Sequence, residues 1–474
     1  MIKFGTGGWR AIIGDDFIRE NIELVAKALV TKIYDEKKED TPVAVGYDRR
    51  FLSKEAMCWA ASVIASNGIK VKMIDVSSPT PLLMYYVMEK GYHYGLMITA
   101  SHNPAIYNGI KIITKEGRDA NEIVTSDLEK RIDEIVKCDK TAKVRDFDDL
   151  VKEGKIKPLN PLNQYLDSIL GKIDVDAIKH AHLKIAIDPL YGVSLRSLNT
   201  IFAICRCDVQ MLHTEHDTLF AGKMPAPDEK TVKNLQTYVT DYNFDLGIAT
   251  DGDADRIGLI DDKGNYISAN ELLSILYYYF LEYKGMKTDV VRNLATTCVL
   301  DKIAKSYNQK CYEVPVGFKY ISQKMQETNA YIGGESSGGL TIMGHINGKD
   351  AIYASALIVE IVAKTGKKLS ELLEEVREKF GYYKTLECNL KFKADRKDEL
   401  INLIYEKHDL PDFGMEIEKT SFIDGCKISF KNGGWLLIRF SGTEPLLRIF
   451  CEMPVEDEKI AQMLCEKVRK YYNI

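Results

Sequence analysis

The sequence has no C-x-x-C pair, no basic block and no apolar run of bilayer length. Each absence excludes a class. The ten cysteines are scattered, with only Cys205 and Cys207 close together, so they read as small core residues of a reducing, cytoplasmic protein rather than as zinc ligands or disulfides. A net charge of −5 without clustered Lys or Arg argues against nucleic acid as the main partner. The most apolar helical stretch, Leu272 to Tyr283, is too short to span a membrane, and Met1 to Thr6 has no signal-peptide core. Catalytic signatures are missing too. There is no G-x-S-x-G elbow, no P-loop and no kinase set. The glycine-rich stretch Phe4-Gly5-Thr6-Gly7-Gly8-Trp9-Arg10 is not G-x-G-x-x-G and no strand precedes it, which excludes a dinucleotide fingerprint.

What is there is a repeat. A chain of 474 residues should form about three or four domains. After an amphipathic helix over Ile22–Tyr34, a β-α-β-α-β pattern runs through Val43–Tyr47, Lys54–Asn67, Val71–Val76, Leu82–Lys90 and Gly95–Ile98. A charged, variable segment follows, about Cys138 to Lys157. The pattern returns over Lys184–Ile187, Leu195–Cys205, Val209–Leu212, Glu229–Tyr242 and Leu246–Ala249. It returns again over Asp289–Arg292, Val299–Tyr307, Cys311–Val314, Tyr320–Thr328 and Tyr331–Ile332. Each round predicts a mostly parallel sheet with right-handed crossovers. Beyond a connecting helix, Lys368–Lys379, the order changes to strands near Leu386–Phe392, a helix over Asp395–Tyr405, strands over Lys427–Phe430 and Gly434–Phe440, and a helix over Asp457–Tyr472. This predicts a smaller α+β domain with an antiparallel sheet. The expected domains are 1–150, 151–258, 259–368 and 369–474.

The chemically loaded loop follows the third strand in every round, where α/β sheets bind ligands. The first is Thr99-Ala100-Ser101-His102-Asn103-Pro104, an exposed hydroxyl on a tight turn. The second is Asp251-Gly252-Asp253-Ala254-Asp255-Arg256, whose alternating carboxylates can converge on a hard cation such as Mg²⁺, with Arg256 placed to cover it. It is not an EF-hand, because the sixth position is Arg256 rather than Gly and the twelfth is Asp262 rather than Glu. The third, Gly333 to Gly339, offers Glu335 and Ser337 to vicinal hydroxyls, with His345 and Lys349-Asp350 able to cap the same region. The last domain adds Arg439-Phe440-Ser441-Gly442-Thr443-Glu444-Pro445 and Arg448, a donor-rich loop suited to a phosphate. A serine, a three-Asp metal site and a phosphate nest argue for phosphoryl transfer, with the serine itself able to carry phosphate.

In order and spacing, T-A-S-H-N-P, D-G-D-A-D-R, G-E-S-S-G and R-F-S-G-T-E-P resemble the α-D-phosphohexomutase family over nearly the whole chain. The resemblance implies three α/β domains and a TATA-binding-protein-like fourth around one cleft. It implies a phosphoserine at Ser101, and Mg²⁺ on Asp251, Asp253 and Asp255 with the phosphoserine oxygen. Glu335 and Ser337 would read sugar hydroxyls, while Arg439, Ser441, Gly442, Thr443 and Arg448 would hold the substrate's own phosphate. Lys111 is the family-like general acid/base, which needs its pKa lowered; Arg10 and Arg50 would lie near the serine, and His102 would shape its loop and contact phosphate. Position 49 usually holds a small polar residue in the family, so Arg49 is a departure. Gly317-Phe318-Lys319 and the His345/Lys349-Asp350 spacing resemble the glucomutase branch. The implied reaction interconverts glucose 1-phosphate and glucose 6-phosphate through glucose 1,6-bisphosphate, in a monomer or homodimer. Mannose or glucosamine phosphates are the alternative substrates. A sugar-phosphate-binding protein without activity and a Mg²⁺ phosphatase are the rivals from other classes.

Overall fold

The computed structural model describes residues 2–5, 7–138, 144–441, 445–455 and 458–474. Two compact units are present: Met1–Leu272 with Ser337–Ser370, and Leu273–Ser336 with Glu371–Ile474. Among the described residues no helix is long and apolar enough to cross a membrane.

In the first unit, strand Val43–Tyr47 is buried along its whole length, as its continuous apolar run requires. It lies between the parallel strands Val71–Ile74 and Tyr94–Ile98. Helices Ser53–Ser66 and Thr80–Glu89 make the two crossovers. Tyr107–Thr114 then pairs antiparallel with Tyr94–Ile98, and Gly8–Ile12 adds to its far side. The glycine-rich N-terminal stretch is thus a sheet edge, which its short and interrupted apolar pattern conceals. The segment expected to be variable also contributes, through helix Phe147–Lys152 and strand Ile156–Leu159, which joins the sheet parallel to Val71–Ile74. Its burial pattern shows only Ile156 fully buried, so no alternation marks it as a strand in sequence.

The second sheet repeats the first. Lys184–Asp188 is central, with Asp208–Met211 and Leu246–Thr250 parallel on its two sides and Ile257–Ile260 antiparallel beyond. The second crossover helix covers Lys233–Asp241 rather than starting at Glu229. Asp228 accepts the N–H groups of Lys230 and Thr231 at 2.9 and 3.0 Å, which holds a turn and delays the helix. After Asp208–Met211, His213 sets its Nδ1 2.8 Å from the buried Asp188, and the carboxylate raises the imidazole pKa. The raised value makes this contact most stabilising below the ordinary histidine pKa of about 6.5, with the contribution lost as pH rises through the folded value. The melting temperatures of the wild-type protein and His213→Gln should therefore differ most near pH 5.5 and converge by pH 9. A gap unchanged across that range would show that the charge of His213 does not act.

In the second unit, Val290–Asn293 lies between the parallel strands Cys311–Val314 and Ile332–Gly334. The three repeats therefore share one strand order, with the first strand in the middle. In each repeat the third strand pairs with the first on the side away from the second. The C-terminal sheet has five antiparallel strands in the order Tyr383–Lys391, Leu446–Pro454, Trp435–Phe440, Cys426–Phe430, Ile417–Ser421. One face buries Leu436, Ile438 and Ile449 with Leu464 and Val468 of helix Glu458–Tyr471. The expected helix over Asp395–Tyr405 is present in pieces: a 3₁₀ turn Ala394–Arg396, an α turn Lys397–Ile401 and a π turn Asn402–Glu406. The other sheet face packs Trp435 and Leu437 on Leu294 and Ala295. There Glu452 accepts from both Trp435 Nε1 and the backbone of Cys298 at 2.8 Å.

Candidate active site

Strand Tyr94–Ile98 delivers the chain to Ser101, whose backbone is left-handed at φ 51°. A non-glycine residue holds that conformation only when its surroundings enforce it. Arg50 does so. Its guanidinium, 3% exposed, donates to the carbonyls of Ser101 (2.7 Å), Asn103 (2.6 Å), Pro104 (2.9 Å) and Tyr107 (3.0 Å). Asp48 fixes Arg50 in turn by accepting from its backbone N–H at 2.9 Å. Arg50 was expected near the serine, and these four bonds turn its terminal nitrogens to the serine loop. Arg10 donates to the Asn103 side chain. Ser101 was expected to be exposed but is buried against the acidic loop: its Oγ donates to Asp251 Oδ2 at 2.6 Å, and His102 Nδ1 stands 3.3 Å away. Burial, then the nearby Arg256 and Arg10, push the His102 pKa far down. A histidine that resists protonation is a poor base for an acyl-transfer dyad.

The acidic loop joins strands Leu246–Thr250 and Ile257–Ile260. Its close approach to the serine loop requires Gly252, because a Cβ there would lie 2.7 Å from the Ser101 carbonyl oxygen. Asp251, Asp253 and Asp255 are fully buried, and one oxygen from each lies within 4.8 Å of the others. Asp251 Oδ1 accepts the N–H groups of Asp255 and Arg256 at 2.9 and 3.0 Å. Lys111 Nζ donates to Asp253 Oδ2 (2.8 Å) and Asp255 Oδ2 (2.7 Å), Lys349 Nζ is 2.9 Å from Asp255 Oδ2, and Thr80 Oγ1 donates to Asp253 Oδ2 at 2.6 Å. Asp253 Oδ1 and Asp255 Oδ1 are buried without a hydrogen-bond partner among the described residues. Orphaned carboxylate oxygens of this kind fit a hard divalent cation such as Mg²⁺.

The charges are strongly coupled. Burial and its two acidic neighbours raise the Asp251 pKa, whereas Lys111, Lys349 and Arg256 overcome burial and hold Asp255 well below the carboxylate range. For Lys111, burial favours the neutral amine, yet Asp253 and Asp255 outweigh it and raise the pKa. The sequence-based expectation was a lysine lowered by Mg²⁺ or by Arg10. By the protein's own groups alone the shift is upward, because two carboxylates in direct contact dominate.

Gly338, at φ 94°, ties the third loop to the acidic one: its carbonyl accepts the Ile257 N–H at 3.2 Å, and a Cβ would lie 2.8 Å from Ile257 O. Ser337 beside it is exposed. His345 is buried, with Nε2 2.7 Å from Asp350 Oδ2. That same oxygen accepts from Tyr165, while Asp350 Oδ1 caps helix Ala351–Thr365. His345 thus braces the base of the loop, and Lys349 rather than His345 reaches the acidic cluster. Arg256 Nε is 3.8 Å from Asp255 Oδ1.

The second unit carries the remaining candidates. Glu335 follows strand Ile332–Gly334, nearly buried, with Asn293 Nδ2 donating to Oε2 at 3.4 Å. Lys319 lies in the first turn of helix Phe318–Thr328, its ammonium 5.0 Å over the Tyr320 ring. Arg439 and Arg448 face each other directly across antiparallel strands. Arg439 Nε donates to Asp424 at 3.0 Å, whereas Arg448 Nε is buried with no hydrogen-bond partner among the described residues. Like charges directly opposed are unfavourable unless an anion lies between them. Ser441 is buried at the strand end; Gly442 and Thr443 lie outside the described residues. Sequence reasoning missed Thr80 entirely, because its partner is 173 residues away.

Family models agree with this architecture. Phosphoglucomutase/phosphomannomutase α/β/α domains I, II and III match residues 1–138, 163–264 and 268–380, and the C-terminal domain matches 387–470. A phosphoglucomutase/phosphomannomutase of Thermococcus kodakarensis is 32% identical, with 99% of this chain and 97% of that protein covered. A phosphoglucosamine/phosphogalactosamine mutase of Sulfurisphaera tokodaii is 30% identical, with 98% of each covered. A solved Thermus thermophilus protein, provisionally assigned as a phosphomannomutase, superposes with a TM-score of 0.84 at 26% identity, covering 100% of this chain and 99% of that one. The chain belongs to the phosphoglucomutase/phosphomannomutase family of phosphohexomutases, enzymes that move a phosphoryl group within a sugar phosphate.

Proposed function

We propose that the enzyme interconverts glucose 1-phosphate and glucose 6-phosphate through a phosphorylated Ser101. The observation that carries this is the Ser101 Oγ bond to Asp251 Oδ2, which places a hydroxyl at the edge of a buried three-carboxylate site. The Ser101 phosphate passes to the free hydroxyl of the substrate and gives glucose 1,6-bisphosphate. The other phosphate of that intermediate then returns to Ser101. Asp251, Asp253 and Asp255 would hold Mg²⁺, which would supply charge neutralisation for the phosphoryl group. Arg50 and Arg10 keep the serine loop in place, and Lys111, with the charge of Asp253 and Asp255 taken up by Mg²⁺, would exchange the proton of the reacting oxygen. Arg439 and Arg448, with Ser441, Gly442 and Thr443, take the phosphate already on the sugar. Glu335, Ser337 and Lys319 read the sugar hydroxyls.

Glucose rests on the likeness of Gly317-Phe318-Lys319 and of the His345/Lys349-Asp350 spacing to the glucomutase branch. Glucosamine 1-phosphate is the competing substrate, since relatives of similar identity carry that name. Comparing kcat/KM for glucose, mannose and glucosamine 1-phosphates decides between them. Glucose should lead by about tenfold or more, a discrimination within reach of a few hydrogen bonds to hydroxyls. A preference for glucosamine would overturn the sugar assignment, and net release of inorganic phosphate would overturn the mutase reaction.

A further inference from the structure

A second cavity in the first unit, of about 660 Å³, is lined by neither Ser101, Lys111 nor the three aspartates. Its walls follow the first and second strands of both repeats in this unit: Tyr47 and Ile74 on one side, Gly192 and His216 on the other. The chemistry described above uses the third strands. This cavity therefore occupies the part of the same carboxyl edge that the catalytic loops leave open, a place where α/β sheets receive ligands.

Three helices begin at it: Ser53–Ser66, Thr80–Glu89 and Leu195–Ile204, of 14, 10 and 10 residues, none with a side-chain cap at its N-terminus. Each start carries about half a positive charge, although the Ser53 and Thr80 N–H groups are bonded to the carbonyls of Arg50 (3.2 Å) and Asp253 (3.0 Å) and Pro81 has no N–H. Lys54 and Arg196 are exposed at the cavity, and Arg49 lines it as well. Arg49 Nη1 donates to the carbonyls of Tyr191 (3.3 Å), Gly192 (3.2 Å) and Thr214 (3.2 Å), which fixes its charge in the wall. Burial and then Arg196 lower its pKa, as expected for like charges facing one space. The hydroxyls of Ser78 and Ser197, 2% and 1% exposed, line the cavity and have no hydrogen-bond partner among the described residues. Of the acidic lining residues, Asp48 is taken by Arg50 and Ser53, which leaves Glu55 and Asp75.

We propose that this cavity is a second ligand site, separate from the reacting centre, for a small phosphate-bearing molecule. Its volume suits a sugar phosphate or a nucleotide-sized ligand. An occupant would lie against the segment 48–50, the one that holds the Ser101 loop through Arg50. Arg49, a departure from the family pattern, acquires a role here as a wall charge.

Phenylglyoxal labelling of Arg196 in the wild-type chain, read by peptide mass spectrometry, tests this locally. Inorganic phosphate, pyrophosphate or glucose 1-phosphate should slow labelling by about fivefold or more relative to chloride at equal ionic strength. Protection by inorganic phosphate identifies a site for the bare anion, and protection by glucose 1-phosphate alone identifies one for a sugar phosphate. Equal rates with all probes would overturn the site. Equilibrium binding of labelled pyrophosphate gives a second measure. Wild-type enzyme should show one more site per chain than the double variant Lys54→Glu/Arg196→Glu, with the catalytic turnover of that variant retained. Unchanged stoichiometry and affinity in the variant would equally sink the proposal.

Discussion

Ser101→Ala is expected to lower mutase turnover by roughly 10³-fold or more, since no other hydroxyl donates to the acidic cluster from the serine loop. Glucose 1-phosphate should still bind, because none of the side chains proposed to hold its phosphate or hydroxyls is altered. Intact mass provides the independent readout: wild-type protein should carry one added phosphate that the variant lacks. The variant also leaves Asp251 Oδ2 without its donor in a fully buried position. An unsatisfied buried acceptor costs about 1–3 kcal/mol, less than the roughly 5–15 kcal/mol by which folded domains are stable. Folding should therefore survive. Turnover retained by a well-folded Ser101→Ala enzyme would end the phosphoserine mechanism.

Lys111→Met should have the second large effect, on stability and on activity together. The ammonium is 2% exposed and sits between Asp253 and Asp255. Removing one partner of a buried ion cluster typically destabilises by about 3–5 kcal/mol, because the carboxylates left behind stay desolvated. In chelator, urea denaturation should show a loss of that order for the variant. Added Mg²⁺ should then stabilise the variant more than the wild-type enzyme, since the cation offsets the same carboxylates and binding to the folded state adds to stability. Two outcomes would contradict this: an unchanged midpoint in chelator, or equal Mg²⁺ stabilisation of both proteins.

These two residues also show how unevenly the site could be read from sequence. Ser101 and the three aspartates were visible because each stands in a short local pattern at the end of a strong apolar strand. The charge state of Lys111 was not. Its pKa is set by carboxylates 142 and 144 residues away, and the balance of burial against their attraction is a tertiary quantity. Arg50 is a similar case. Its sequence position marks it as close to the serine, but only the fold reveals that its nitrogens are bonded to four carbonyls of the loop. His345 was read as a cap on the sugar loop, yet Asp350 and the distant Tyr165 draw it into a buried brace.

The repeat itself was legible, because three rounds of continuous apolar strands alternate with amphipathic helices. The strands added at the two ends of the first sheet were less so: Gly8–Ile12, antiparallel, and Ile156–Leu159, parallel, have little hydrophobic pattern and are stabilised by neighbours rather than by their own composition. By itself the sequence determined that three α/β units carry a serine, an acidic and a glycine-rich loop at matching strand ends, since local periodicity and turn chemistry suffice for that. Only the tertiary structure decided which of those side chains meet, which are bonded to the protein itself, and that the first and second strands of two repeats enclose a further cationic cavity. Contacts across more than a hundred residues depend on strand order and helix placement, and no short stretch of sequence encodes them.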